Sequence, residues 1–299
     1  MSDVTPGAAA GTAGEMTDWA CRAVAAVRRR ARGPALEGDL RVTLNFHPDR
    51  LTNGRTVLAQ MAEHGTYRSQ FETGTSAGGL SAHPGGDRWR WEQRIFDGAY
   101  DDAPPAQRPK YGALNHRRRS IGAAPRFGSA HLRLARHTLA RTTFCFPDSV
   151  LNPQDFATAQ SCDLIPLAEE FAATPRTEAQ EAALGGALDD YIEAHVHGPI
   201  HLATDVEALV LDPCYAGTLV QDQAHALGVP VEWHEGRVLT VAELRRHPDF
   251  RGAGVVAVGE QIAEGGRLDA AVIGRAAATG RAHEQDLKRV WHLVARFGR

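Results

Sequence analysis

Lysine is nearly absent from this chain. Lys110 and Lys288 carry the only two ammonium side chains, and arginine supplies the rest of the 33 basic residues. Set against 36 acidic residues, they leave a net charge of −3. There is thus no domain-wide basic footprint of the kind a phosphate-backbone binder needs, and nucleic acid is not an expected partner. With so much alanine, the preference for arginine reads as a bias of genome composition. Cysteine is scarce too: Cys21, Cys145, Cys162 and Cys214 lie far apart and form no CxxC pair. That spacing suits small buried side chains in a reducing compartment better than a zinc site or a disulfide framework. No apolar run approaches the roughly 18 residues of a membrane span, so no membrane partner is expected. The opening "MSDVTPGAAAGTAGEM" lacks the basic and apolar regions of a secretory signal, and the expected location is the cytoplasm. Also missing are a GxxxxGK[ST] phosphate loop, a GxSxG nucleophile elbow, an HExxH helix, and a GxGxxG after any predicted strand.

The remaining composition is that of a globular protein. At 299 residues, 43% hydrophobic and 23% charged, the chain can bury one large domain or a core with an added lobe. Residues 1–14, rich in Gly, Ala, Ser and Thr, are expected to be disordered. Thr17 reads as the N-cap of a helix reaching about Arg32, with Trp19, Ala23, Val24 and Val27 on one face. Between about 38 and 215, alternation predicts strands over 40–46, 66–74, 128–134, 141–146, 191–197 and 205–212. "TVLAQMAEHG" (56–65) predicts a helix closed by Gly65, a short amphipathic helix is expected around Trp89 to Phe96, and 153–189 reads as helical. "VPVEWH" and "RVLTVAEL" predict a strand pair leading into helices. The last helix, 284–298, has Leu287, Val290, Trp291, Val294 and Phe297 on one face. A boundary near 220 divides an α+β core with its N-terminal helix (15–220) from a mostly helical lobe packed on it (221–299).

Four segments gather polar groups. "FHPDR" (46–50) sets His47 and Arg50 at the end of the first strand, suited to an anionic or ribose-bearing ligand or to a plain turn. "YRSQFETGTSAGG" aligns Arg68, Gln70 and Glu72 on one predicted strand face, followed by Thr75 and Ser76 among glycines. Such a loop presents hydroxyls and N–H groups to a phosphate or ribose, or simply to water. Tyr111-Gly112 and Phe127-Gly128 can stack on a planar ring or only pack. In "DYIEAHVHGPIH" (190–201), Tyr191, Glu193, His195 and His197 share one strand face. That row faces water, or holds a metal with His47 or His201, or presents the Glu193 carboxylate to a sugar ring on which positive charge develops.

These motifs, with "GGDRWRWEQRIFDGAY", "RPKYGALN", "PRFGSAHL", "TTFCFPDS" and "DVEALVLDP", resemble from about residue 40 to 297 a bacterial family catalogued as a domain of unknown function, number 3626. More distantly, the order of elements is similar to the mono-ADP-ribosyltransferase fold, especially toxin-like domains attached to phage head proteins. That second resemblance implies an α+β fold with a split, mainly antiparallel two-sheet core, flanking helices and a helical C-terminal lobe. It also implies NAD as a substrate, cleaved at the nicotinamide–ribose bond by a transferase or glycohydrolase, with a protein, a small molecule or water as acceptor. Glu193 takes the catalytic position and His195 supports it. Arg68, His47 or Arg50 holds the adenosine ribose or pyrophosphate, beside Gln70, Glu72 and Thr75. Ser76 or Ser129 takes the serine position, and Tyr111 stacks on nicotinamide. Transferases that modify arginine usually carry Glu or Gln two residues before the catalytic Glu; Tyr191 stands there. The alternatives are a metal-assisted hydrolase built on His195, His197 and another histidine, and a non-catalytic nucleotide-binding or scaffold protein.

Overall fold

The computed structural model describes residues 16–52, 54–74, 81–183, 186 and 188–299. Its centre is a sheet of eight strands: β1 (Val42–Phe46), β2 (Lys110–Leu114), β3 (Ala130–Leu134), β4 (Thr142–Phe146), β5 (Asp155–Thr158), β6 (Ile192–Val196), β7 (Val206–Leu211) and β8 (Val231–Trp233). Their spatial order is β8-β7-β3-β1-β2-β6-β4-β5. Every neighbouring pair is antiparallel except β7 and β8, which are joined through the helix Leu219–His225, the kind of crossover a parallel pair needs. The fold is therefore α+β on a mainly antiparallel sheet, as expected. The expected split of the core into two sheets is not observed. Among the described residues the long strands form one continuous sheet, accompanied only by two-stranded ribbons.

Several local expectations give way to stronger chemistry. "TYRSQFETG" alternates like a strand, but only Thr66–Tyr67 is one. Ser69 and Glu72 close a capping box, and Gln70–Thr73 is a helical turn ended by Gly74 in the left-handed region. Two backbone N–H groups satisfied by side chains outweigh a period-2 pattern with little apolar surface to bury. Arg68, Gln70 and Glu72 therefore do not share a strand face. Within 153–189 the stretch Asp155–Thr158 is the outer strand β5, while Leu164–Ala173 and Glu178–Ala183 are helices. "VPVEWH" and "RVLTVAEL" do not pair with each other. Val231–Trp233 extends the main sheet beside Leu209–Leu211, and Leu239–Thr240 pairs with Arg267–Leu268. Helix α1 (Asp18–Arg28) starts where Thr17 accepts from Ala20 N–H at 3.4 Å and ends four residues before Arg32. Helix α2 (Val57–His64) closes on Gly65 at φ 64°, a conformation that favours glycine.

The two faces of the sheet bury different partners. Ile192, Ala194 and Val196 of β6, with Phe144 and Phe146 of β4, join the main core. The opposite face of the same strands packs on a smaller cluster from α1 and from α3 (Asp87–Ile95), including Ala23, Val27, Trp91, Phe96, Tyr100 and Cys145. Helix α4 (Ala270–Ala278) and helix α5 (Glu284–Phe297) pack on each other near the C-terminus. Leu287, Val290, Trp291 and Val294 of α5 are buried in the main core, as the sequence pattern predicts, and Phe297 packs against it. No described helix is long and apolar enough to cross a membrane.

Candidate active site

The row of β6 does not face water. Glu193 keeps only 5% of its surface exposed, and His195 and His197 keep none. All three lie on the side of the sheet that meets α1 and α3. Glu193 reaches a cavity of about 360 Å³ that opens above β2 and β6. Its carboxylate is held at both oxygens. His195 Nε2–H donates to Oε1 at 2.7 Å; Ser149 donates its hydroxyl at 3.1 Å and its N–H at 3.4 Å to Oε2. Burial pushes the carboxyl pKa up, but the hydrogen bond and charge of His195 and the Ser149 bond outweigh it. The group ends below its ordinary value, as a carboxylate.

That carboxylate orders the groups behind it. With Nε2–H pointed at Glu193, the other ring nitrogen of His195, Nδ1, meets the Thr143 hydroxyl at 3.3 Å. Thr143 Oγ1 also lies 2.9 Å from His197 Nε2, and His197 Nδ1 lies 2.7 Å from the Tyr100 hydroxyl. Burial first, then His195, Arg141 and Lys110, hold the His197 pKa well below its usual value, so it is a neutral link. Burial likewise keeps Tyr100 protonated. A buried hydrogen-bonded chain of four side chains thus fixes the orientation of the His195 ring behind Glu193.

A second carboxyl group lines the same cavity. Asp148 follows β4, accepts from Val150 N–H at 2.7 Å, and accepts from the Tyr191 hydroxyl. Burial, then the charge of Glu193, raises its pKa to about 7. Two neighbouring carboxyl groups with pKa values pushed apart are one ionised base and one group that titrates near neutrality.

Aromatic and cationic side chains complete the walls. Tyr111 lies edge-on to His195 with centroids 5.3 Å apart. Its hydroxyl donates to buried Glu92 at 2.8 Å and accepts from Trp91 Nε1–H at 3.1 Å. Glu92 is held by Arg108 at 2.6 Å. Buried Arg88 lies over both Trp91 and Tyr111, 4.7 and 4.3 Å from their ring centroids, a cation–π contact. Arg50, Arg68, Arg126 and Lys288 also line the cavity. The oxygen Oε1 of Gln70, another lining residue, is buried with no hydrogen-bond partner among the described residues.

A family described as protein of unknown function (DUF3626) matches residues 41–176 and 163–297. The chain belongs to the DUF3626 family. No curated protein matches it.

In this DUF3626 protein the sequence-derived residues fall into three groups. Glu193, Tyr111, His47, Arg50, Arg68 and Gln70 line one cavity, with His195 directly behind Glu193. Burial first, then Arg50, depresses His47 to about 3; it is neutral, edge-on to Trp291 at 5.0 Å, and brings no charge to an anion. Glu72 is turned back into its capping box, with Oε2 accepting from Ser69 N–H at 2.7 Å. Ser129 is fully buried, its hydroxyl 3.3 Å from Tyr215, away from the cavity wall. Thr75 and Ser76 lie outside the described residues.

The histidine set of the metal alternative is not assembled. His195 and His197 are bridged by Thr143, His201 is on the surface, and His47 stands across the cavity beside Trp291. A different trio, Cys145, Glu193 and His195, brings its donor atoms within 4.8 Å of one another. Burial, then Glu193, raises the Cys145 pKa well above its usual value, which favours thiol over the thiolate a metal takes.

Sequence reasoning missed Asp148, Ser149, Arg88, Arg126 and Lys288. Asp148 and Ser149 end the segment "TTFCFPDS", where no alternation or spacing assigns them a role.

Proposed function

We propose that this protein cleaves the nicotinamide–ribose bond of NAD, passing ADP-ribose to an acceptor or to water. The observation that carries the reading is Glu193: a buried carboxylate, held by His195 and Ser149 at the base of a cavity whose walls are aromatic and cationic. The carboxylate hydrogen-bonds a ribose hydroxyl and stabilises the positive charge that develops at C1′ as the bond breaks. The C1′–N bond pair leaves with the ring nitrogen. Because the leaving ring starts as a pyridinium, it departs as neutral nicotinamide and needs no proton. The acceptor, by contrast, must lose one as its oxygen or nitrogen bonds to C1′, and Asp148, titrating near 7, takes that proton. Tyr111 and Trp91 supply faces for the leaving ring, and Gln70 Oε1 is an acceptor awaiting a donor such as a sugar hydroxyl.

Incubation of the purified protein with NAD, with nicotinamide measured as product, tests the reading. Release is expected, and Glu193→Gln is expected to lower kcat by roughly 10²–10³-fold with little change in KM. No release with water or any acceptor, or release unchanged in the variant, overturns it.

A further inference from the structure

A second cavity, of about 460 Å³, adjoins the first. The two share His47, Arg50, Thr52, Arg126, Phe127 and Lys288, so a narrow set of side chains forms the neck between them. Three of these are cations. Arg50 pairs with Glu284 and Arg126 with Asp189. Lys288 makes no ion pair or hydrogen bond with any described residue. Instead its surroundings are burial and like charge: Arg126, Arg50, Arg289 and Arg251 lower its pKa to about 8. Arg126 Nε is likewise buried with no acceptor among the described residues. Like charges gathered at a half-buried neck repel one another until an anion stands between them.

Beyond the neck the chemistry changes. Small and apolar side chains of α4 (Ile273, Ala277, Ala278) and α5 (Leu287, Trp291) face one another across the second chamber. Two carboxyl groups line it: Glu284, paired with Arg50, and Asp49, which accepts from the Tyr215 hydroxyl. Gly274 gives Asp49 room, because any side chain there would strike its oxygens. A smooth wall that suits a flat ring, with one carboxylate for hydroxyls, is what a nucleoside needs.

We infer that the chamber between α4 and α5 binds the distal nucleoside of a dinucleotide, with the linking diphosphate held at the neck by Arg50, Arg126 and Lys288. The assignment rests on the reading of the Glu193 chamber as the seat of the reacting ribose, and extends it to a two-headed ligand that fills both chambers.

Calorimetric titration of the full chain with ADP-ribose, AMP and ribose 5-phosphate tests it. ADP-ribose is expected to bind at least about tenfold more tightly than either half, since only it engages both chambers and the neck. Lys288→Ala is expected to weaken ADP-ribose binding roughly tenfold or more by removing a charge-assisted contact. Ala277 lies exposed on α4 at the chamber wall, so Ala277→Trp should fill the chamber without disturbing the core and weaken binding to a similar degree, with an unchanged thermal midpoint. ADP-ribose binding no tighter than ribose 5-phosphate, or wild-type affinity in both variants, overturns the assignment. Its failure is separable from that of the catalytic reading. Tight, Lys288-dependent binding without nicotinamide release sinks catalysis and leaves the chamber standing. Equal kcat/KM for NAD and nicotinamide mononucleotide sinks the chamber and leaves catalysis.

Discussion

Glu193 and Asp148 are both buried carboxyl groups in one cavity, yet they differ in charge because their hydrogen-bond partners differ. Glu193 receives bonds from an imidazole and from two groups of Ser149. Asp148 sits beside that negative charge with fewer donors and is pushed to about 7. If Asp148 takes the acceptor's proton, activity rises with pH through about 7, and Asp148→Asn removes that rising limb while lowering kcat roughly 10²–10⁴-fold; a pH–rate profile of both proteins checks this. The same shift has a consequence for stability. The folded pKa lies above the unfolded 3.8, so the unfolded chain binds fewer protons across that window. Wild type therefore loses stability as pH rises from about 4 to about 7, and the Asn variant does not. Thermal melts should show the variant gaining on wild type through that window and levelling off above it. The sequence marked Glu193 because alternation put it beside two histidines. It could not mark Ser149, whose hydroxyl meets Glu193 from 44 positions away, because only the antiparallel pairing of β4 and β6 brings them together.

The strands that carry these residues also carry their support. Thr143 on β4 stands opposite His195 on β6 and touches both histidines. Removing its hydroxyl leaves two imidazole nitrogens without their link and loosens the orientation of the His195 ring. Thr143→Val is expected to lower kcat about tenfold, with KM nearly unchanged and a displaced pH profile, whereas Thr143→Ser restores wild-type values. A loss in KM alone, or no rescue by serine, would mean that the residue only packs. Elements of this kind were legible where period and punctuation agreed. The strands around Thr43, Leu132, Phe144 and Ala194 alternate and are bounded by turn residues, and α2 and α5 carry their caps and apolar faces in the sequence. Legibility failed where two local signals competed, as at Ser69-x-x-Glu72, where the capping box overrode the alternation. It failed also for β8, which pairs in parallel with the strand before it, through a helical crossover, rather than with the segment that follows.

At the scale of the whole molecule, the last helix belongs at once to the main core and to the walls of both cavities. Trp291 is fully buried, donates from Nε1 to the carbonyl oxygen of Pro125 at 2.8 Å, and meets His47 edge-on. Trp291→Ala should cost about 3–5 kcal/mol in denaturant unfolding, and should loosen the segment that carries Arg126 and Phe127. The boundary read near residue 220 separates compositions, but the sheet runs past it through β8, and α5 lies in the main core. One pairing has a consequence for how such a protein is made. Arg50 meets Glu284 across 234 positions of sequence, one turn of helix from Lys288. During translation, the neck between the chambers stays open until α5 has left the ribosome. Until that helix docks, both cavities lack Lys288 and the second also lacks Glu284 and Trp291, so the end of the chain is the last part of their walls to arrive.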